Sequence, residues 1–242
     1  SVADAERAFN IARTVFDRIS FDLIYARQDQ SRADWRTELT RALEMAVDHL
    51  SLYQLTVEQG TAFGALYAQG RLRGLPADSL LADMYKMTAE LCGNAGFEAY
   101  EISNHARPGA ASRHNLIYWR YGDYAGIGPG AHGRLSLSNT RYAIEAKRLP
   151  EVWLASTQTA STELQRIEIT RKDQADEFLM MGLRLQEGID LKRYRALSGT
   201  TLDPQKIEHL LQIGMIEKSE HRIRASQRGR LVLNAIIKEL LL

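Results

Sequence analysis

The chain has 242 residues and sets 31 Lys and Arg against 30 Asp and Glu, a formal charge of +1 that argues against a polyanion-coating role. A 45% hydrophobic share suits a buried core, no run approaches the roughly 18 apolar residues of a membrane span, and the charged opening, Ser1 to Ile19, does not read as a signal peptide. The single cysteine, Cys92, excludes an intrachain disulfide and any zinc or iron–sulfur site built from cysteines of this chain alone, and points to a reducing, cytoplasmic setting.

Apolar residues at Ala8, Phe9, Ala12, Val15, Phe16 and Ile19 predict a first helix. Phe21, Leu23 and Tyr25 alternate with Ser20 and Asp22, predicting a strand; because Ile24 is also apolar, the strand is expected to be buried on both faces. Ser31 caps a second helix carrying Trp35, Leu39, Ala42, Leu43 and Ala46. His49 to Val57 reads as a strand, Ala62 to Ala68 as a short helix, and Asp78 to Ala95 as a helix stopped by Gly96. Cys92 lies on its apolar stripe, as a buried small hydrophobe would. Glu98 to Ile102 and the glycine-bearing Tyr124 to His132 are further strand candidates. Helix and strand alternate about four times, which predicts a parallel sheet flanked by helices. Four strands do not close an eight-stranded barrel, but they can form part of one or a small open sheet.

The pattern changes after about residue 150. Asp173 to Leu185 and Asp203 to Gly214 read as helices, with a short turn–helix at Gly188 to Leu197 between them. Met215 to Ala225 reads as a strand–turn–strand and Ser226 to Leu241 as a final helix. That order is winged-helix-like, and a domain boundary is expected within Leu149 to Ser161.

Chemistry-bearing residues are densest between Glu101 and His132, which hold three of the six histidines, His105, His114 and His132. His114-Asn115-Leu116-Ile117-Tyr118-Trp119 sets an imidazole beside large aromatic surface. As a helix it puts His114 and Tyr118 on one face; as a strand, His114, Leu116 and Tyr118. Such a pairing suits a flat aromatic ligand with a metal centre, and equally suits two core aromatics beside a histidine bonded to a carbonyl. Gly126-Ile127-Gly128-Pro129-Gly130 has no dinucleotide or phosphate-loop spacing; it could admit a ligand close to the backbone or simply turn the chain. Asp22, inside an apolar strand, needs a partner, either ribose hydroxyls or a structural arginine. Arg222, Arg224, Arg228 and Arg230 could serve nucleic acid or a solvated face.

Five stretches, FDLIYA from Phe21, HLSLYQLTVEQGTAFG from His49, YEISNHARPG from Tyr100, SRHNLIYW from Ser112 and YAGIGPGAHG from Tyr124, come in one order and spacing. In these the chain resembles the oxygen-independent coproporphyrinogen III oxidase-like proteins of the radical SAM superfamily, and within them the haem-chaperone branch. The resemblance spans nearly the whole chain. It implies an α/β fold: the C-terminal part of a radical SAM, partial TIM-like barrel over residues 1–150, then a small helical winged-helix-like domain over residues 151–242. It implies a [4Fe–4S] cluster, S-adenosylmethionine and haem. By motif position, Asp22, Thr56 and His132 fall at the S-adenosylmethionine site. His114 falls where haem is bound, as a ligand to its iron, with Tyr118 and Trp119 completing the motif. No catalytic residue is assigned.

Two departures stand out. The family's CxxxCxxC cluster motif is missing, so the chain is expected to be a C-terminal fragment without radical SAM activity. Arg27-Gln28-Asp29-Gln30 replaces a Pro-Gly pair before Gln, which predicts a reshaped loop. The function implied is a haem chaperone passing haem to acceptor proteins in the cytoplasm, with no membrane span and no nucleic acid partner. The alternative is the oxidative decarboxylation of coproporphyrinogen III; a winged-helix nucleic-acid module ranks last.

Overall fold

A computed structural model describes residues 1–158 and 161–242; residues 159 and 160, inside the expected boundary segment, lie outside the described residues. The chain forms two compact units, Ser1–Ser112 and Arg113–Leu242.

In the first unit, α1 spans Val2–Val15, β1 Asp22–Tyr25, α2 Arg32–Met45, β2 His49–Gln54, α3 Ala62–Ala68, α4 Asp78–Asn94, β3 Glu98–Ala99 and β4 Asn104–Ala106. Ser31 caps α2 through the Asp34 amide, while the Asp34 carboxylate accepts from the Ser31 amide; each satisfies an orphan group of the other. The strands form one sheet in the order β1-β2-β4-β3. Only β1 and β2 run parallel; β2–β4 and β3–β4 are antiparallel. The wholly parallel sheet expected from alternation is therefore corrected. Residues 98–106 fold back as a short hairpin, leaving no room for a helical crossover.

Helices α2 and α4 cover one face of this sheet. The core there is Tyr25, Trp35, Leu39, Leu50, Leu52, Met84, Met87, Cys92 and Phe97. The Trp35 ring stacks on Tyr25 with centroids 4.9 Å apart, and its Nε1 donates to Thr88 Oγ1 at 2.8 Å. The other face of the β1–β2 pair is set by register. Asp22 pairs with Ser51 and Ile24 with Tyr53, so these four side chains share a face. Asp22, Ile24 and Tyr53 are exposed. The expectation that β1 is buried on both faces fails because β1 is an edge strand and the helices cover one face alone.

In the second unit, α5 spans Arg113–Trp119, β5 His132–Leu137, β6 Thr140–Ala146, α6 Pro150–Ser156, β7 Glu163–Glu168, α7 Arg171–Gly182, β8 Ile189–Asp190, α8 Leu191–Ser198, α9 Pro204–Gln212, β9 Ile216–Ser219, β10 Arg222–Ala225 and α10 Leu233–Leu241. Strands β5, β6 and β7 make an antiparallel sheet. Its first hairpin turns through Ser138 and Asn139, both at positive φ, as a two-residue type I′ turn requires. The strand expected over Tyr124 to His132 is not formed. Tyr124 makes one bridge to Arg134, and the glycine run turns the chain into β5, which begins at His132. A Cβ on Gly126 would meet the His132 carbonyl oxygen at 2.3 Å, so that glycine serves a close approach within the chain itself.

The remaining elements run α7, β8, α8, α9, then β9 and β10, then α10, with strand order β8-β10-β9.

Candidate functional site

The motif HNLIYW is helical. Within α5, the Tyr118 hydroxyl lies 2.5 Å from His114 Nε2, one turn away. The two rings meet edge to face with centroids 4.7 Å apart, and Tyr118 in turn meets Tyr124 edge to face at 4.4 Å. His114 is exposed, and Tyr118 and Trp119 are half-buried. The structure thus brings together an accessible imidazole and a file of aromatic rings.

The helix ends in a Schellman motif. The Gly122 amide donates to the Ile117 carbonyl at 2.7 Å and the Tyr121 amide to the Tyr118 carbonyl at 2.8 Å. Tyr121 occupies the left-handed position, φ +55°, where glycine is the ordinary choice. Two arginines from β6 and α8 hold it there. Arg141 places its guanidinium 4.0 Å over the Tyr121 ring, donates to the Gly122 carbonyl at 2.8 Å and pairs with Asp123 at 2.6 Å. Arg193 donates to the Arg120 carbonyl at 2.7 Å and to the Tyr121 carbonyl at 3.0 Å. Burial, with the nearby Arg141 charge, pulls the Arg193 guanidinium below its usual pKa. Asp123 also accepts from the Ser136 amide and hydroxyl, tying the turn to β5. Arg141 and Arg193 carry no local signal in the sequence; only the fold brings them to α5.

His132 opens β5 in this same unit and is exposed. Asp22 and Thr56 belong to the first unit. Asp22 opens β1, level with Ser51, whereas Thr56 lies two residues past the end of β2, so they flank opposite ends of the parallel pair. Both are exposed, and Thr56 donates to the Gln54 carbonyl at 3.3 Å. The partner required of a buried Asp22 is not required of an exposed one. Beside Asp22 the sheet carries a polar network that sequence reading overlooked. His49 Nδ1 lies 2.7 Å from Ser20 Oγ and its Nε2 2.9 Å from the Tyr100 hydroxyl. Ser51 donates to Asn104 Oδ1 at 2.9 Å, and Asn104 Nδ2 to the buried Glu101 carboxylate at 2.6 Å. Period-2 spacing of His49 and Ser51 was the available signal.

The loop after β1 makes a tight turn. Asp29 adopts φ +56°, a backbone conformation that glycine takes without strain. Its amide donates to the Gly74 carbonyl at 2.7 Å.

Three of the four arginines near the C-terminus are occupied, while Arg228 is exposed. Arg222 donates to the Glu187 and Gly188 carbonyls, Arg224 pairs with Glu217, and Arg230 is buried with a bond to the Arg184 carbonyl. Helix α9, which a nucleic-acid-binding winged helix would present, exposes Gln205, Glu208, His209 and Gln212, while Lys206 donates to the Glu239 carbonyl. That face offers no cation cluster to a phosphate.

Compared with known proteins, residues 169–232 match the HemN C-terminal domain. The chain is 34% identical to "Heme chaperone HemW" of Escherichia coli, over 97% of this chain and 61% of that protein. It is 34% identical to "Radical S-adenosyl methionine domain-containing protein 1, mitochondrial" of Mus musculus, over 100% of this chain and 57% of that one. The HemN coproporphyrinogen III oxidase structure from Escherichia coli aligns with a TM-score of 0.72 at 17% identity, covering 97% of this chain and 57% of that chain, a likeness of fold. The chain belongs to the HemW-type radical SAM family. It spans about three fifths of the length of these relatives.

Family membership implies a [4Fe–4S] cluster and S-adenosylmethionine. The residues present do not fit the cluster. Such clusters take several thiolates, and this chain has one cysteine, Cys92, fully buried in the core. Among the described residues, no group of three or more His, Cys, Asp or Glu converges as metal ligands. None of the described helices is long and apolar enough to cross a membrane. For haem the fit is better: α5 carries an exposed imidazole, a nitrogen donor that could hold the iron, with aromatic edges next to it.

Proposed function

We propose that the protein binds haem through α5 and passes it to acceptor proteins. His114 supplies the nitrogen ligand to the iron, and Tyr118 and Trp119 supply aromatic surface for the porphyrin. The observation that carries this reading is the exposed His114 imidazole beside the Tyr118 ring on a helix whose end is clamped by two arginines. A ligand group held on a fixed helix loses little entropy on binding. The name of the Escherichia coli relative supports the same reading.

S-adenosylmethionine is assigned to the first unit, where the exposed Asp22 carboxylate can accept hydrogen bonds from ribose hydroxyls and Thr56 offers a hydroxyl at the far end of the β1–β2 pair. His132 is a further candidate by motif position. The oxidase alternative is supported by likeness of fold alone. A reducing compartment suits the single, buried thiol.

The test is a haem titration of the chain followed by absorbance, with His114→Ala alongside. Saturable binding that the substitution abolishes is the expected result. Binding with an unchanged Soret band and affinity in His114→Ala would refute the assignment.

A further inference from the structure

The nitrogen that His114 would offer to iron is not free. Nε2 is 2.5 Å from the Tyr118 hydroxyl. A phenol is a good donor and a poor acceptor, whereas the bare nitrogen of a neutral imidazole is a strong acceptor. The arrangement that suits both groups has the Tyr118 O–H donating into the Nε2 lone pair, which leaves the imidazole proton on Nδ1. That is the tautomer a metal needs for ligation through Nε2. The Tyr118 ring is itself backed by Tyr124, with centroids 4.4 Å apart, so the hydroxyl is held in place by more than its own bond.

We propose that Tyr118 acts as a latch on His114: its hydroxyl fixes the iron-binding tautomer and occupies the lone pair until haem displaces it. This rests on the haem reading of α5 given above. When haem arrives, the Nε2 lone pair is donated to iron and the O–H···N bond breaks. Tyr118 keeps its proton, its side chain swings away from Nε2 so that the hydroxyl meets solvent, and no electron is transferred. A latch of this kind weakens resting affinity, which suits a carrier that must also give haem up. It assigns the Tyr118 hydroxyl to His114, while the ring remains available to the porphyrin.

Tyr118→Phe tests the latch, because it keeps the ring and its contact with Tyr124 and removes only the hydroxyl. One net hydrogen bond at an accessible site corresponds to about a 2–10-fold change in affinity. Haem titrations of the full chain at pH 8 would compare the unsubstituted protein, Tyr118→Phe, His114→Ala and the double variant. Imidazole nitrogen chemical shifts would report the His114 tautomer without haem. The latch predicts tighter binding by Tyr118→Phe, loss of that gain when His114 is also replaced, and a His114 tautomer that is fixed on Nδ1 only while the hydroxyl is present. Unchanged or weaker binding by Tyr118→Phe, with His114→Ala still defective, overturns the latch and leaves the haem reading standing. Unaltered binding by His114→Ala overturns both.

Discussion

Arg141 is the residue through which the fold holds α5. Replacing it by methionine keeps a long apolar stem over the Tyr121 ring and removes the guanidinium. The side chain is 9% exposed, so its bonds are largely shielded from water. Loss of the charged donor to the Gly122 carbonyl, 2.8 Å away, costs about 1.5–3 kcal/mol. The ion pair adds only about 0.5 kcal/mol, because Asp123 is 40% exposed and rehydrates. The ring contact is worth about 0.5–1 kcal/mol, part of which the methionine sulfur restores. The sum, reduced by the relief of one buried charge, is about 2–3 kcal/mol. For a unit of this size that lowers the melting temperature by roughly 6–12 °C. Differential scanning calorimetry measures the shift, with Arg224→Met as the control: its ion pair with Glu217 is open to solvent on both sides, and about 0.5 kcal/mol or less is expected. Equal shifts in the two variants, or a fall of less than about 2 °C in Arg141→Met, would refute the argument that the clamp stabilises the left-handed Tyr121.

Three further outcomes are expected. Ala26 is buried at φ +60°, and Ala26→Gly should raise stability by about 0.5–1 kcal/mol in denaturant titration, since relief of left-handed strain exceeds the added chain entropy; a loss of stability would count against strain there. Cys92 is fully buried and its thiol pKa is pushed up to about 12, so Ellman's reagent at pH 8 should label it only after unfolding; rapid labelling of the native chain would mean that the helix–sheet core opens readily. Burial holds the His49 imidazole below its ordinary pKa of 6.5, outweighing the opposite pull of Asp48, Asp22 and Glu101. Above pH 6.5 both folded and unfolded states are neutral at this site. As pH falls below 6.5 the unfolded chain takes up a proton that the folded chain refuses, and stability drops. His49→Gln should flatten the fall below pH 6.5 in urea titrations; an unchanged pH profile would show that His49 does not contribute to it.

Local signals located most helices. The Ser31 and Asp34 capping pair, the Trp35-Leu39-Ala42 stripe and the Ala62–Ala68 segment are readable from neighbouring residues, because helix bonds and caps span no more than four positions. The order of the last elements, from α7 to α10, was legible for the same reason. The antiparallel sheet β5-β6-β7 was missed. Its hairpin turn is Ser138-Asn139, which lacks the glycine that usually marks a two-residue turn, and β7 is mostly exposed, so no apolar alternation advertises it. The strand expected over Glu98 to Ile102 starts at Glu98 but ends at Ala99, and its fold-back at Asn104 depends on pairing with His49, Leu50 and Ser51 more than fifty residues earlier.

The family, the chemistry on offer and the helix-forming stretches are legible from the residues alone, since motif spacing, side-chain type and capping are all local. The sequence also placed His114 and Tyr118 within one turn of each other, if the segment was helical. The tertiary structure decided that it is helical, and where the helix ends. A tyrosine holds a glycine's conformation at the end of α5 because arginines 20 and 72 residues further along the chain donate to the turn. It also decided that Asp22 faces outward, because the cover on each face of a strand is set by which helices pack there and not by the strand's own residues. Contacts of that range depend on where distant segments meet, and no window of the chain contains both partners.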